Sequence, residues 1–171
     1  MKDLWLTFGG KKQSLLEGYS DLDWASQRHC HSISRFMFHC DQGMISWSLK
    51  KQAIIALSST EAEYIMQTHA AKEAMWLKTF VNEIRGGQMG PLTIMVDNQS
   101  TIALAKDNKF YSHTKHIDLH YHFICEAVED ERIKMEYIST ADNIVDIFTK
   151  ALPKPKFTKF IGKLGLAKMK E

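Results

Sequence analysis

Along the first fifty positions apolar residues alternate with polar ones, and over the following thirty they recur every three or four. The alternation is rich in aromatic and β-branched residues and predicts strands near 4–8, 15–23, 33–40 and 43–49, with turns at Gly9-Gly10 and at "DQG" (41–43). These four read as an antiparallel set. Farther on, Met66, Ala70, Ala74, Leu77, Val81 and Ile84 mark one stripe of a long helix that Gly86-Gly87 stops. Ser58 and Glu61, three residues apart, form a capping box at its start. "PLTIMVD" is then a short buried strand ending at Asp97, "QSTIALAKD" and "HIDLHYHFICEAVEDE" two helices, "RIKMEYI" a last strand and "NIVDIFTKAL" a last helix. Strands first, then helix and strand in alternation, predict an α/β fold with a mixed sheet flanked by helices. Phe157, Phe160, Ile161 and Leu164 add a short amphipathic helix that docks on the body. Trp24, Trp47 and Trp76 are expected in the core.

A length of 171 residues and 44% hydrophobic content suit one domain, with residues 15–150 as its core and 151–171 as a basic tail. The apolar runs "AIIAL" and "LTIMV" fall far short of the roughly 20 residues of a membrane span. No apolar leader opens the chain, so an intracellular protein is expected. Cys30, Cys40 and Cys125 lack paired spacing and read as free thiols. The net charge of +2 conceals an asymmetry: from Lys150 onward stand seven lysines and one acid, Glu171, so residues 1–149 are acidic. An acidic body binds nucleic acid poorly unless its acids gather around metal ions.

Several acids occupy costly positions. Stepping back three residues from Met66 along the helical stripe reaches Glu63, which faces the core, whereas Glu61 falls off the stripe. Asp97 closes a strand at its C-terminal end, the edge where sites of α/β sheets form. Asp146 sits between Val145 and Ile147. Asp21 and Asp23 lie two apart at a strand end and point to one face, where their charges repel. Carboxylates gathered without matching arginines are the ligand set of hard divalent cations. Taken singly, each acid is more often a solvated or capping residue, Asp142 as the N-cap of the last helix among them. His116 and His120 have i,i+4 spacing, but with His113 and His122 they lack a placed third ligand, so zinc is not expected.

The words "GYSDLDWAS", "ISWSLKKQAIIALSSTEAEYI", "AAKEAMWL", "VDNQSTIALAKD", "SHTKHIDLHYHFI" and "DIFTKALPKPKF" occur in one order between about residues 15 and 166. In them the chain resembles the ribonuclease H domain of copia-type LTR retrotransposon Pol polyproteins. The resemblance implies a ribonuclease H-like fold, with a five-stranded mixed sheet flanked by helices. It also implies a D-E-D-D set of Asp21, Glu63, Asp97 and Asp146 that binds two Mg²⁺ ions, with Mn²⁺ as a substitute. The implied activity is cleavage of the RNA strand of an RNA–DNA hybrid during reverse transcription, leaving 3′-hydroxyl and 5′-phosphate ends. The implied partner beyond the hybrid is a reverse transcriptase domain of the same polyprotein, in a cytoplasmic particle or the nucleus. Asn98 and Gln99 carry amides suited to the 2′-hydroxyl, Ser20 and Ser59 are further candidates, and Lys50 and Lys51 are candidates for phosphate contact.

Three features depart from the family pattern. Arg35 in "HSISRF" replaces a usual glycine and is expected to strain or reshape its strand. Leu49 in "SLKKQ" replaces a usual serine, and "EYISTADN" lacks the histidine that cellular relatives carry before the last acid. These departures support an alternative reading, a catalytically impaired module that binds nucleic acid or connects parts of a polyprotein. An integrase core is disfavoured, because that class orders its acids Asp-Asp-Glu.

Overall fold

The structure is a computed structural model and describes residues 3–8, 16–24, 31–106 and 115–168. In chain order it contains β1 (Leu4–Leu6), β2 (Glu17–Asp23), β3 (Ile33–Cys40), β4 (Gly43–Lys51), α1 (Ser59–Arg85), β5 (Leu92–Val96), α2 (Gln99–Lys106), α3 (Lys115–Glu129) and β6 (Ile133–Tyr137). A 3₁₀ turn (Ile144–Phe148), α4 (Lys154–Lys163) and β7 (Leu166–Lys168) follow. Five strands form one sheet in the order β4-β3-β2-β5-β6. The β2–β3 and β3–β4 pairs are antiparallel, while β2–β5 and β5–β6 are parallel. The predicted mixed α/β sheet is therefore present.

Local signals explain the main elements. Asp41 and Gln42 both take positive φ, making the two-residue turn whose twist suits a hairpin between β3 and β4. Ser58 Oγ accepts from Glu61 N, and Glu61 Oε2 accepts from Leu57 N, so the capping box starts α1. Gly86, with φ 64°, ends it.

Both sheet faces are covered, which makes the central strands apolar on both sides. Phe36, Phe38, Ile94 and Val96 pack with Ala70, Ala74 and Leu77 of α1, while Tyr19 and Met37 pack with Ile144, Val145, Phe160 and Leu164. The predicted tail helix is α4, and it docks through Phe160, which is fully buried.

Some expectations fail. The first strand does not join the antiparallel set; β1 pairs with β7 in a separate ribbon, Trp5 opposite Ala167. The last predicted helix shrinks to the 3₁₀ turn, capped by Asn143 rather than Asp142. Trp24, Trp47 and Trp76 are more than half exposed, and so is Ile84 at the end of α1. Trp76 stacks instead on Phe80, with ring centroids 5.4 Å apart. Arg35 does not distort its strand: β3 pairs continuously through it, and the register shift falls at Phe38/His39. The Gly9-Gly10 turn, Cys30, His113 and the side chain of His116 lie outside the described residues. No described helix is long and apolar enough to cross a membrane.

Candidate active site

Strand register sets the site. Ser20 on β2 stands opposite Val96 on the parallel strand β5, so Asp21 and Asp97 each come one residue later, at neighbouring C-terminal strand ends. A pocket of about 300 Å³ opens there, lined by Asp21, Glu63, Gln67, Asp97, Asn98 and Gln99 with Leu22, Met66 and Val96. Glu63 reaches it from the first turns of α1. Asp146 does not line this pocket. It is held beside it on the 3₁₀ turn, which Asn143 ties to β2 by donating from Nδ2 to Ser20 O at 3.0 Å.

Three of the four acids are supported, in two ways. Glu63 accepts from neutral groups: Asn98 Nδ2 lies 2.6 Å from both of its oxygens, and Thr101 Oγ1 donates to Oε2. Asn98 Oδ1 meanwhile accepts from Ser100 N and Thr101 N, capping the start of α2. Asp21 and Asp146 instead meet cations. Arg35, which stands opposite Asp21 in the β2–β3 register and is 1% exposed, brings Nη2 to 2.6 Å from Asp21 Oδ2. Its Nη1 donates to Thr149 Oγ1, just past the 3₁₀ turn. Asp146 lies 2.5 Å from Lys150 Nζ and 3.7 Å from Lys156 Nζ.

These ion pairs are close but poorly directed. Among the described residues, Asp21 Oδ2, Arg35 Nε and Asp146 Oδ1 are buried and make no hydrogen bond of acceptable direction. The Asp21 carboxyl is pushed up to about 6: burial disfavours its charge most, Arg35 draws it down, Asp97 pushes it up, Lys150 draws it down and Asp146 pushes it up. Burial and the two acids thus outweigh the two cations.

Buried, incompletely satisfied carboxylate oxygens have the donor chemistry that a hard divalent cation takes. Among the described residues four carboxylates face three cations here, Arg35, Lys150 and Lys156, which leaves a demand for positive charge. Among the described residues, however, no three His, Cys, Asp or Glu side chains are grouped tightly enough to share an ion.

The remaining sequence candidates are dispersed. Gln99 is exposed at the pocket. Ser20 is wholly buried and donates to Gln67 Oε1 at 3.3 Å, so it ties β2 to α1 and is not available to a ligand. Ser59 is exposed at the first turn of α1 and is not among the residues that line the acid pocket. Lys50 and Lys51 are exposed and border a separate cleft with Gln52, Ile54, His69 and His120. Glu61, set aside in the sequence as off the stripe, is buried because it caps α1. Sequence reasoning missed Thr101, Asn143 and Lys150 as supports of the acids. The polar run "NQST" at the head of α2 was the available signal for Thr101.

No family model matches the chain. It is 42% identical over 153 residues, 89% of its length, to the retrovirus-related Pol polyprotein from transposon TNT 1-94 of Nicotiana tabacum. To the corresponding polyprotein from transposon RE1 of Arabidopsis thaliana it is 33% identical over 90% of its length. The chain spans 11% of the length of each of these curated relatives. Among solved structures it resembles RNase H1 from the halophilic archaeon Halobacterium salinarum, with a TM-score of 0.53 at 12% identity, covering 76% of this chain and 89% of that one. It also resembles LC11-RNase H1 in complex with an RNA/DNA hybrid, with a TM-score of 0.54 at 11% identity, covering 75% and 88%. At such identities the likeness speaks for the fold, while the plant sequences speak for descent: over about 90% of its length the chain is a homologue of copia-type retrotransposon Pol polyproteins, and it has the ribonuclease H-like fold.

Proposed function

We propose that this segment is a metal-dependent endonuclease that cleaves the RNA strand of RNA–DNA hybrids during reverse transcription of a retrotransposon. The observation that carries the reading is the convergence of Asp21, Glu63 and Asp97 on one pocket, with Asp146 beside it, at the C-terminal edge of the sheet. In this reading the four carboxylates hold two Mg²⁺ ions, or Mn²⁺ in their place. Ions so held supply an activated water and stabilise the oxygen that leaves the scissile phosphate.

The chain's own groups do the positioning. Asn98 and Thr101 fix Glu63 without neutralising it, so its full charge stays directed at the pocket. Gln99, exposed beside them, is free to meet the 2′-hydroxyl that separates RNA from DNA. Asn98 is committed to Glu63 and to the cap of α2, which makes it a positioning residue. Lys50 and Lys51 project where a phosphate backbone crossing the neighbouring cleft would pass. A reverse transcriptase domain of the same polyprotein, acting inside the cell, would supply the hybrid.

The test is cleavage of a hybrid carrying labelled RNA by the wild type and by Asp97→Asn, with RNA and DNA duplexes alongside. Metal-dependent cutting of hybrid RNA by the wild type alone supports the reading, and equal cutting by both proteins refutes it. The cations against Asp21 and Asp146 favour a second reading, a segment that binds the hybrid with impaired catalysis. That reading predicts saturable binding with no cleavage at any metal concentration.

A further inference from the structure

Arginine is a costly residue in the interior of a central strand. At 1% exposure Arg35 is among the largest fully buried side chains of the molecule, and a charge so placed requires compensation. Its only ionic partner among the described residues is Asp21, directly across the β2–β3 ladder. Its other contact, Thr149, belongs to the stretch that carries Asp146 and Lys150. The guanidinium therefore bridges two of the elements that deliver acids to the site. Its Nε has no hydrogen-bond partner among the described residues, so the side chain is held by charge more than by a completed set of hydrogen bonds.

We propose that Arg35 is a resident cation of the acid site, which occupies Asp21 in place of a divalent ion and weakens the affinity of the site for such ions. The inference rests on the metal-dependent reading given above and deepens it. With Nη2 already 2.6 Å from Asp21 Oδ2, an ion taking that oxygen at about 2.0–2.1 Å competes with the guanidinium for it. While Arg35 stays, the ion also meets an extra positive charge. Glu63 carries no such burden, since its partners are neutral. The site is thereby divided into an open side at Glu63 and a charge-compensated side at Asp21 and Asp146, where Lys150 and Lys156 add to the effect of Arg35. Divalent ions then bind firmly only when something relieves this competition, and a phosphate brought in with the nucleic acid can do so by drawing the guanidinium to itself.

Titration of Mn²⁺ into the full chain without nucleic acid, with free Mn²⁺ read by electron paramagnetic resonance, tests this without reference to turnover. A charge within about 4–6 Å shifts an equilibrium at a neighbouring group by about 1–3 log units, so Arg35→Met should bind Mn²⁺ about tenfold more tightly or better. Arg35→Lys keeps the charge and should stay near the wild type. Arg35→Gln is neutral and retains an amide for Thr149, so it repeats the measurement if the methionine variant melts early. Adding Asp21→Asn to either neutral variant should abolish the gain. Equal affinity in the wild type and the neutral variants overturns the role of Arg35 and leaves the nuclease reading intact. Absence of Mn²⁺ binding in every variant overturns both.

Discussion

Glu63 accepts hydrogen bonds from an amide and a hydroxyl, whereas Asp21, across the same pocket, lies against a buried guanidinium. Both arrangements relieve the cost of a half-buried or buried carboxylate, but they leave different charges behind. Neutral donors at Glu63 orient the carboxylate and keep its negative field in the pocket. A cation at Asp21 cancels much of that field, and at Asp146 two lysines do the same. The site thus pairs an electrostatically available half with a compensated half, and the proposed metal-dependent chemistry would draw on both.

The largest effect is expected where a ligand charge is removed outright. Asp97→Asn keeps the shape of the strand end but removes one negative donor, and cleavage of hybrid RNA should fall about 100-fold or more with melting little changed. Asp21→Asn should do the same. Asp23→Asn should stay within about threefold of the wild type, because Asp23 lies opposite Ile33 and lines none of the acid pocket.

The compensated half also depends on packing. Phe160 is fully buried with Val145 beneath the 3₁₀ turn that carries Asp146, and Lys156 lies over its ring at 5.1 Å. Phe160→Ala should destabilise the fold by about 3–5 kcal/mol in urea or guanidinium unfolding.

On the available half, Asn98→Ala or Thr101→Val should reduce activity or ion affinity about 10–100-fold by freeing Glu63 to turn. A smaller loss at Asn98 than at Asp23 would erase the distinction between the two halves.

The smallest effect is expected in the tail. Lys156 and Lys159 already face Asp146 and Asp142, at 3.7 and 2.8 Å. Neutralising Lys154, Lys156 and Lys159 to Gln should therefore flatten the log–log salt dependence of hybrid binding by less than the roughly 2.7 units expected of three free phosphate contacts. A flattening by that full amount would show that these lysines leave the protein's acids for the nucleic acid.

What the sequence made legible was local or repeated. The period of α1, its Ser58–Glu61 cap, the Gly86 stop and the turn at Asp41-Gln42 each depend on residues within a few positions of one another. Asp97 could be placed because a strand end is a local feature. Pairings across the whole chain were not legible: Leu4 meets Lys168, a partner that no window of sequence contains. The exposure of Trp47 depends on β4 being the outer strand of the sheet, a fact of topology. Arg35 is the most instructive case. Its residue type announced a departure, and a strained strand was the natural expectation, yet only the register that sets it opposite Asp21 reveals a charge placed on an acid of the site.

In the function proposed above, this cluster of acids is a metal-dependent site for cutting RNA paired with DNA. The most direct measurement follows a hybrid whose RNA strand is 5′-labelled and whose DNA strand carries a second label, incubated with the wild-type chain in Mg²⁺, in Mn²⁺ and in EDTA. Shortened RNA ending in a 3′-hydroxyl is expected with either metal, with intact RNA in EDTA and intact DNA throughout. RNA fragments formed equally in EDTA, or RNA left whole at every metal concentration by both the wild type and Arg35→Met, would contradict the proposed function.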